Sequence, residues 1–269
     1  MGSTFKKRRI KFTSFEKMKD TFPVTVYKYR RWNNEYDKRV LTHKELFFAS
    51  PRDFKDQEDC SQTVNYSALT DKEKFDWAVE VTKNNYRSMS PNIIPEVARR
   101  FLKRSPINNP VECKKLQEEQ LERYFDITGV LSLTFNSNSD KMWEDYGDNH
   151  QGFCIGFDSK LLFESKIAGK GGYVDYVEEL PKIYPEPKMD FLTQAKLQIF
   201  SKLKKWEFEE EYRLHIIRGK NIEIADRRKY PPSSAFKEII IGENMPEEDL
   251  EELKSSIPDV LKHVEIIRL

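Results

Sequence analysis

Two carboxylates and a guanidinium alternate within the segment 205-KWEFEEEYR-213. Glu209, Glu211 and Arg213 are spaced two residues apart and run into the apolar segment 214-LHII-217. Side chains two residues apart lie on one face of a strand, so we expect these three to be close together. Neighbouring carboxylates raise each other's pKa and a guanidinium opposes this, so one glutamate could orient a substrate hydroxyl while the other acts as a base. The alternative is a solvated charged set at a helix end.

The segment 140-DKMWEDYGDNHQGFCIGFD-158 is a second block dense in polar and aromatic residues. Trp143, Tyr146 and His150 bracket three acidic residues just before the apolar run 152–157. Binding and catalytic residues often lie on such loops, held by a rigid scaffold. His150 could act as a general acid or as a ligand, although a structural histidine bonded to a backbone carbonyl fits equally well. The glycines here do not form a GxGxxG motif, which disfavours a dinucleotide-binding fold.

Basic and aromatic residues in 27-YKYRR-31 form a third block together with the loop 48-FASPRDFKDQED-59. These side chains could hold a phosphate and stack on a ring. Asp53, Asp56 and Asp59 could instead ligate a divalent cation. Their spacing lacks the glycine and the terminal glutamate of a calcium loop, so we predict no metal site and a loop that caps the next helix.

We predict that the residues of these blocks converge on one cleft. Hydrophobic periodicity predicts that the scaffold which holds them is made of short strands and helices. We predict helices at 71–86, 94–104, 111–125, 189–206 and 246–257, and strands at 24–32, 46–50, 129–135, 152–157, 172–177, 211–217, 221–225, 236–242 and 263–269. Helices that interrupt many short strands indicate an α+β (mixed α/β) fold with a compact sheet. We predict one domain, 1–269, in which 70–125 is a helical insertion beside the site.

Composition excludes several classes of function. The 46 Lys and Arg nearly balance the 45 Asp and Glu, so there is no overall field to attract nucleic acid or membrane. A local basic segment, 6-KKRRIK-11, could contact phosphates or could be a solvated terminus. The three cysteines form no CxxC pair, which excludes a zinc ribbon and a disulfide framework and fits a reducing compartment.

Targeting signals are also missing from the sequence. No apolar run approaches the length of a membrane-spanning helix, and the N-terminus is charged where a signal peptide needs an apolar core. Lys6 stands where a myristoylation signal needs Ser or Thr. We therefore predict a cytoplasmic protein with no membrane partner. GxSxG, HExxH, Walker and kinase motifs are absent as well.

Six segments, taken in order, resemble a bacterial family known as domain of unknown function 2971. They are 27-YKYR-30, 46-LFFASPRDF-54, 130-VLSLT-134, 142-MWEDYGDNHQGFCIGFD-158, 205-KWEFEEEYR-213 and 238-EIIIG-242. One segment departs from the family: where the family usually has Phe-Asn-Asp-Pro-Phe-Asp, this chain has 54-FKDQED-59, which keeps Asp56 and Asp59. The family name implies no activity.

The order of the motifs also resembles the Arg–Ser–Glu pattern of one class of ADP-ribosyltransferases. This resemblance implies an ADP-ribosyltransferase-like fold that cleaves NAD and transfers ADP-ribose to a protein or nucleic-acid acceptor. The alternative within this class is an NAD glycohydrolase. Arg30, or else Arg31, would contact an NAD phosphate, and Ser50 would brace the site. Glu211 would hold the nicotinamide ribose and Glu209 would face the acceptor. The remaining residues of the expected nucleotide site are Tyr27, Tyr29, Trp143, Tyr146, His150 and Arg213.

Two other functions compete with the transferase. A metal-dependent nuclease could use Asp53, Asp56, Glu209 and Glu211, and would need a divalent ion and a basic groove. A non-catalytic ligand-binding or sensor module would bind its ligand without turnover. The sequence does not separate the three, and it predicts no oligomeric state or partner protein.

Overall fold

The computed structural model describes residues 24–269. Two sequence features, the basic segment 6–11 and the first four residues, lie outside these residues. The helices, in chain order, are α1 (Glu35–Thr42), α2 (Asp71–Asn85), α3 (Ile94–Lys103), α4 (Pro110–Ile127), α5 (Asp140–Tyr146), α6 (Ser159–Glu164), α7 (Phe191–Phe200), α8 (Ile224–Arg227) and α9 (Glu247–Ser256).

Eleven strands are assigned in the described part of the chain. They are β1 (Thr25–Arg30), β2 (Leu46–Phe47), β3 (Thr128–Thr134), β4 (Phe153–Asp158), β5 (Lys170–Tyr173), β6 (Asp175–Val177), β7 (Ser201–Leu203), β8 (Glu211–Ile217), β9 (Arg228–Lys229), β10 (Phe236–Ile241) and β11 (Glu265–Arg268). The predicted α+β class is therefore confirmed.

Contacts group the described residues into two compact units. Unit 1 contains residues 24–42, 135–167 and 231–269. Its strands lie in the order β11-β10-β4-β1, in which only the β10–β11 pair is parallel. Apolar side chains on both faces of this sheet are buried. Val26, Ile155 and Ile239 lie on one face, and Cys154 and Ile240 lie on the other.

Unit 2 contains residues 43–134 and 168–230. Its larger sheet is antiparallel, in the order β3-β8-β5, and two small sheets pair β2 with β9 and β6 with β7. Helices α2, α3 and α4 pack a second core around Tyr66, Trp77, Ala78, Ala98 and Cys113. The expectation of one domain with an insertion at 70–125 stays a prediction.

The three helices predicted between 70 and 125 are present because their ends are encoded locally. Thr70 and Glu73 form a capping box at the start of α2, each side chain accepting from the other's backbone N–H. Asn109 caps α4, whose first residue is Pro110. Local signals of this kind do not depend on the rest of the fold.

Predictions that depended on distant pairing were less accurate. The helix predicted at 189–206 ends at Phe200, because the next three residues form β7, parallel to β6. The strand predicted at 221–225 is wrong, since helix α8 begins at Ile224. The strand predicted at 172–177 is divided at Val174 into β5 and β6.

The strand predicted at 46–50 is only two residues long in the structure, and two helices, α1 and α6, were not predicted. Helix α1 begins after Asn34. The Asn34 side chain accepts from the backbone N–H groups of Tyr36 and Asp37, at 2.9 and 3.3 Å. Over the described residues, no helix combines the length and apolar character that crossing a membrane requires.

Candidate functional site

Unit 2 contains a group of buried ionised side chains that we call the ion-pair cluster: Asp59, Lys202, Glu209, Glu211 and Arg213. Each of the five is at most 6% exposed. As the spacing predicted, Glu211 and Arg213 lie on one face of β8. Glu209 ends a 3-10 turn over 204–209, and the left-handed residue Glu210 (φ 42°) then turns the chain into the strand.

Arg213 lies at the centre of the cluster and is fully buried. Its Nη1 and Nη2 donate to the two carboxylate oxygens of Asp59 at 2.9 and 2.5 Å. Its Nε and Nη2 donate to the two oxygens of Glu211 at 2.7 and 2.8 Å. Nη1 also donates to the Ile199 carbonyl at 2.6 Å. Paired hydrogen bonds of this kind hold a guanidinium and a carboxylate in one fixed geometry.

Lys202 is the second cation of the cluster and contacts all three carboxylates. Its Nζ contacts Glu209 Oε2 directly and lies 3.4 Å from both Glu211 Oε2 and Asp59 Oδ2. Nζ also lies 5.2 Å from the centre of the Trp206 ring. Three carboxylates therefore share two cations in a region closed to water. The alternative of a solvated charged set is wrong for this segment.

Burial and pairing act in opposite directions on the pKa values of the cluster. Burial alone raises the pKa of Glu211, but the charges of Arg213 and Lys202 outweigh it and hold that pKa well below its usual range. Burial lowers the pKa of Lys202, and the carboxylates, Glu211 first, more than reverse this. Burial raises the pKa of the neighbouring Cys60 well above its usual value, which keeps the thiol protonated.

Ser50 belongs to a different contact in unit 2. Its hydroxyl is buried and donates to the Phe125 carbonyl at 3.0 Å. The same carbonyl accepts from Arg227 at 3.2 Å, and Arg227 also donates to the Thr128 carbonyl at 2.7 Å. Ser50 and Arg227 thus hold the junction of α4 and β3. No motif in the sequence marked Arg227.

In unit 1, three of the predicted side chains form an aromatic stack. The ring of Trp143, on α5, lies nearly parallel to the His150 ring, with centroids 5.7 Å apart. Tyr29, on β1, meets Trp143 edge-on at 4.9 Å. Trp143 Nε1 donates to the Ser137 carbonyl at 3.1 Å, and Tyr29 Oη donates to the Asn136 carbonyl at 2.8 Å. The stack therefore anchors the turn between β3 and α5.

The residues after α5 form an unusual left-handed turn. Asp148, Asn149 and His150 have φ angles of 55°, 51° and 64°. Asp, Asn and His tolerate this conformation better than most residues, yet each still costs about 1–2 kcal/mol. The turn is held by the side chain of Asn33, which donates to Asp148 at 2.7 Å, and by the backbone of Asn244, which donates to the His150 carbonyl at 3.0 Å.

Two other predicted residues of unit 1, Tyr27 and Arg30, lie next to carboxylates. Tyr27 Oη donates to Glu238 at 2.9 Å, and Arg30 Nε lies 3.5 Å from Asp37 Oδ1. Tyr146 is the last residue of α5 and is half-buried.

The predicted site residues thus fall into two groups. Ser50, Glu209, Glu211 and Arg213 lie in unit 2, and Tyr27, Tyr29, Arg30, Trp143, Tyr146 and His150 lie in unit 1. That all of them line one cleft stays a prediction. Of the residues proposed for a nuclease, Asp56 lies 4.0 Å from Lys205 Nζ. Within residues 24–269, no three His, Cys, Asp or Glu side chains are grouped as metal ligands would be.

Unit 2 also contains a cavity of about 340 Å³, the helical cavity, which the sequence did not predict. It lies among α2, α4, α7 and the segment 62–66. Its polar lining is mainly amide, from Gln62, Asn84, Gln117, Gln120, Gln194 and Gln198. Its aromatic lining comes from Tyr66, Trp77, Tyr124 and Phe191. These residues come from segments far apart in the chain, so no spacing pattern could have brought them together.

Comparison with known proteins gives a family resemblance and no function. Residues 142–214 match the model of a family described as Protein of unknown function (DUF2971). The resemblance stated from the sequence is therefore confirmed over this part, which contains the left-handed turn, Lys202 and three other members of the ion-pair cluster. No curated protein and no solved structure gives a significant match.

Proposed function

We propose that this protein is a non-catalytic ligand-binding module that holds a small molecule in the helical cavity of unit 2. One observation carries the proposal. Unit 2 combines a ligand-sized cavity lined by amides and aromatic rings with an ion-pair cluster in which each of the candidate catalytic carboxylates is already paired.

The pairing argues against Glu209 and Glu211 as catalytic groups. A general base needs a pKa near the working pH, whereas Arg213 and Lys202 hold the pKa of Glu211 far below it. A carboxylate that stabilises a ribosyl cation must also direct its charge at the substrate, and the charge of Glu211 is directed at two protein cations. The cluster is better suited to fixing the chain around it.

The chain that the cluster fixes includes two walls of the cavity. Asp59 and Gln62 lie three residues apart on one segment, and Gln198 and Lys202 lie four residues apart on another. Gln198 Nε2 donates to the Gln62 carbonyl at 2.8 Å, which joins the two segments at the cavity. The ion-pair cluster thus holds these segments in place, and a preformed cavity is what a binding site needs.

The volume and lining of the cavity also suit a ligand site. Small-molecule pockets usually range from about 300 to 1,000 Å³, with aromatic walls and a few polar groups that fix orientation. The helical cavity lies at the lower end of this range. A single ring system or a nucleoside fits this size better than a dinucleotide.

A thermal-shift screen of small neutral compounds tests the proposal. We expect some compounds to raise the Tm of the wild-type protein, because a ligand that binds only the folded state stabilises it. The control is Gln194→Trp, which puts a large side chain into the cavity from α7 and should abolish these shifts. Equal shifts in both proteins, or no shift in either, would overturn the proposal.

The NAD-dependent transferase stays a second hypothesis, with one observation in its favour. Glu209 and Glu211 both contact Lys202, so the two carboxylates lie close together, as the hypothesis expects of its paired glutamates. In this hypothesis NAD is the substrate, and the acceptor is a protein or a nucleic acid. Incubating the protein with NAD and following free nicotinamide tests it directly, and accumulation of nicotinamide would favour it over the binding module.

A further inference from the structure

The amide group of Gln62 is the exceptional feature of the helical cavity. Its Nε2 and Oε1 are both buried, and neither has a hydrogen-bond partner among residues 24–269. Four other lining glutamines donate within the protein. Their partners are Val64 O for Gln117, Tyr66 Oη for Gln120, Met189 O for Gln194 and Gln62 O for Gln198. Among the amides that line the cavity, only that of Gln62 has both its nitrogen and its oxygen buried without a hydrogen-bond partner in the described residues.

A buried amide without hydrogen-bond partners destabilises the folded protein. The positions of its donor and acceptor therefore indicate which chemical group of a ligand would pair with it. Burying a donor or an acceptor without a hydrogen bond loses the free energy of its hydration. A carboxamide presents one donor beside one acceptor, and the matching partner has an acceptor beside a donor. The edge of a nucleobase has this arrangement, as in the pairing of glutamine with the N6 and N7 atoms of adenine.

The aromatic walls fit a flat ring. Trp77 and Tyr66 line one side of the cavity and pack edge to face, with centroids 5.4 Å apart. This contact and a second one with Phe101, at 5.6 Å between ring centroids, hold Trp77 in a fixed orientation at the cavity wall. Stacking on aromatic side chains is a common way for proteins to hold bases.

The charges of the residues that line the cavity favour a neutral ring over a polyphosphate as the ligand. The ionisable residues of the lining are Glu80, Glu186 and Arg123, together with two tyrosines. Burial raises the pKa of both tyrosines, Tyr66 and Tyr124, so they are neutral. Two carboxylates and one guanidinium leave the lining net negative, which opposes a phosphate-rich ligand.

We infer that the helical cavity takes a neutral heteroaromatic ring of the nucleobase or nucleoside class, oriented by the amide of Gln62. The inference rests on the proposed function and adds the class of ligand and the residue that selects it. Gln62 is held for this role by the hydrogen bond from Gln198 to its own carbonyl.

Calorimetric titration of the full chain with adenosine, uridine and ATP tests the inference. We expect a nucleoside to bind at least about tenfold more tightly than ATP, because the lining repels phosphates. Gln62→Met keeps the volume of the side chain but removes the donor and the acceptor. It should weaken nucleoside binding by about tenfold or more, as when a site loses its hydrogen bonds to a ligand.

Gln194→Met is the matched control, because Gln194 lines the same cavity but its amide already donates to Met189. It should change nucleoside affinity by less than about threefold. Gln62→Met should fold as well as wild type, since the amide that it removes has no partner to lose. A Tm at or above that of wild type verifies this.

The outcomes separate the two proposals. Nucleoside binding that is equally strong in Gln62→Met would overturn the role of Gln62. If aliphatic amides from the thermal-shift screen bind in the cavity while adenosine and uridine do not, the ring class is wrong and the binding module stands. If nothing binds in a manner that Gln194→Trp abolishes, both proposals fail.

Discussion

Arg213 is the residue on which the ion-pair cluster depends. Its guanidinium is fully buried and bonded to two carboxylates and a carbonyl. Removing one partner of a buried ion pair leaves the other charges buried without compensation, which typically costs about 3–5 kcal/mol. We expect Arg213→Met to lower the free energy of unfolding by this amount, measured by urea denaturation.

Arg52 provides the matched control for this prediction. It pairs with Glu122 at 2.5 Å and with Asp126 at 3.0 Å, but its side chain is 44% exposed. Exposed pairs contribute only about 0–1 kcal/mol because water competes for both charges. Arg52→Met should therefore be mild. Similar losses for the two substitutions would mean that the cluster is not the buried network described above.

Glu211 should make the stability of the protein depend on acid pH. Its folded pKa lies below the ordinary value of 4.5, so its contribution is complete above about pH 4.5 and is lost as the pH falls towards the folded pKa. We expect Glu211→Gln to be less stable than wild type at pH 7 and to lose less stability between pH 5 and pH 3. The measurement is urea unfolding at each pH.

This prediction also separates two views of Glu211. A catalytic residue on an accessible face would tolerate the change to glutamine without loss of stability, while its activity disappeared. In the ion-pair cluster the same change removes a negative charge that balances the buried positive charges of Arg213 and Lys202, so it should lower the free energy of unfolding. If Glu211→Gln unfolds with the same free energy as wild type at every pH, the structural role of Glu211 is refuted.

Among the elements, the left-handed turn after α5 has the clearest energetic consequence. Asn149 is exposed and has a φ of 51°, a conformation that a β-branched residue adopts only with strain. We expect Asn149→Val to lower the free energy of unfolding by about 1–2 kcal/mol. Asn149→Gly, which has no side chain to strain, should be nearly neutral. Equal thermal unfolding of the two variants would argue against this turn.

Comparing the predicted helices and strands with the observed ones shows which parts of the fold could be predicted from the sequence. Helix α2 was predicted from its apolar periodicity, which the local cap of Thr70 and Glu73 supports, and β8 was predicted because its residues alternate. The end of α7 was missed because β7 forms only where a distant strand pairs with it. Periodicity reports local preference, and pairing between distant segments overrides it without leaving a local signal.

The candidate site was predictable to a similar extent. The spacing of Glu211 and Arg213 correctly placed both side chains on one face of a strand. Their burial depends on Asp59 and Lys202. Asp59 lies 154 residues before Arg213 in the chain, and Lys202 lies inside the segment that was predicted to be a helix. The helical cavity could not be predicted for the same reason. That the amide of Gln62 lacks a hydrogen-bond partner is known only from the positions of residues that are distant in sequence.

At the scale of the whole molecule, the described chain divides into two units with different polar features. In unit 1, the left-handed turn and two rings of the aromatic stack, Trp143 and His150, lie within residues 142–214, which match the family model. Unit 2 joins the ion-pair cluster to the helical cavity through Asp59 to Gln62 and Gln198 to Lys202. Within unit 2, loss of the cluster should therefore affect ligand binding as well as stability.

Asp59→Asn tests this link between cluster and cavity. The change weakens the pair with Arg213 and should loosen the segment that carries Gln62. We expect a lower Tm together with weaker nucleoside binding in calorimetry at a temperature where the variant is still folded. Unchanged affinity in a destabilised Asp59→Asn variant would show that the cluster and the cavity are independent.

The central claim is that a small molecule binds in the helical cavity and is not converted. It is tested most directly by incubating wild type and Gln194→Trp with adenosine or with NAD, and by identifying the bound and free compounds by mass spectrometry. The account predicts that wild type retains adenosine, that Gln194→Trp does not, and that every compound is recovered unchanged. Free nicotinamide from NAD, or equal retention of adenosine by the two proteins, would contradict it.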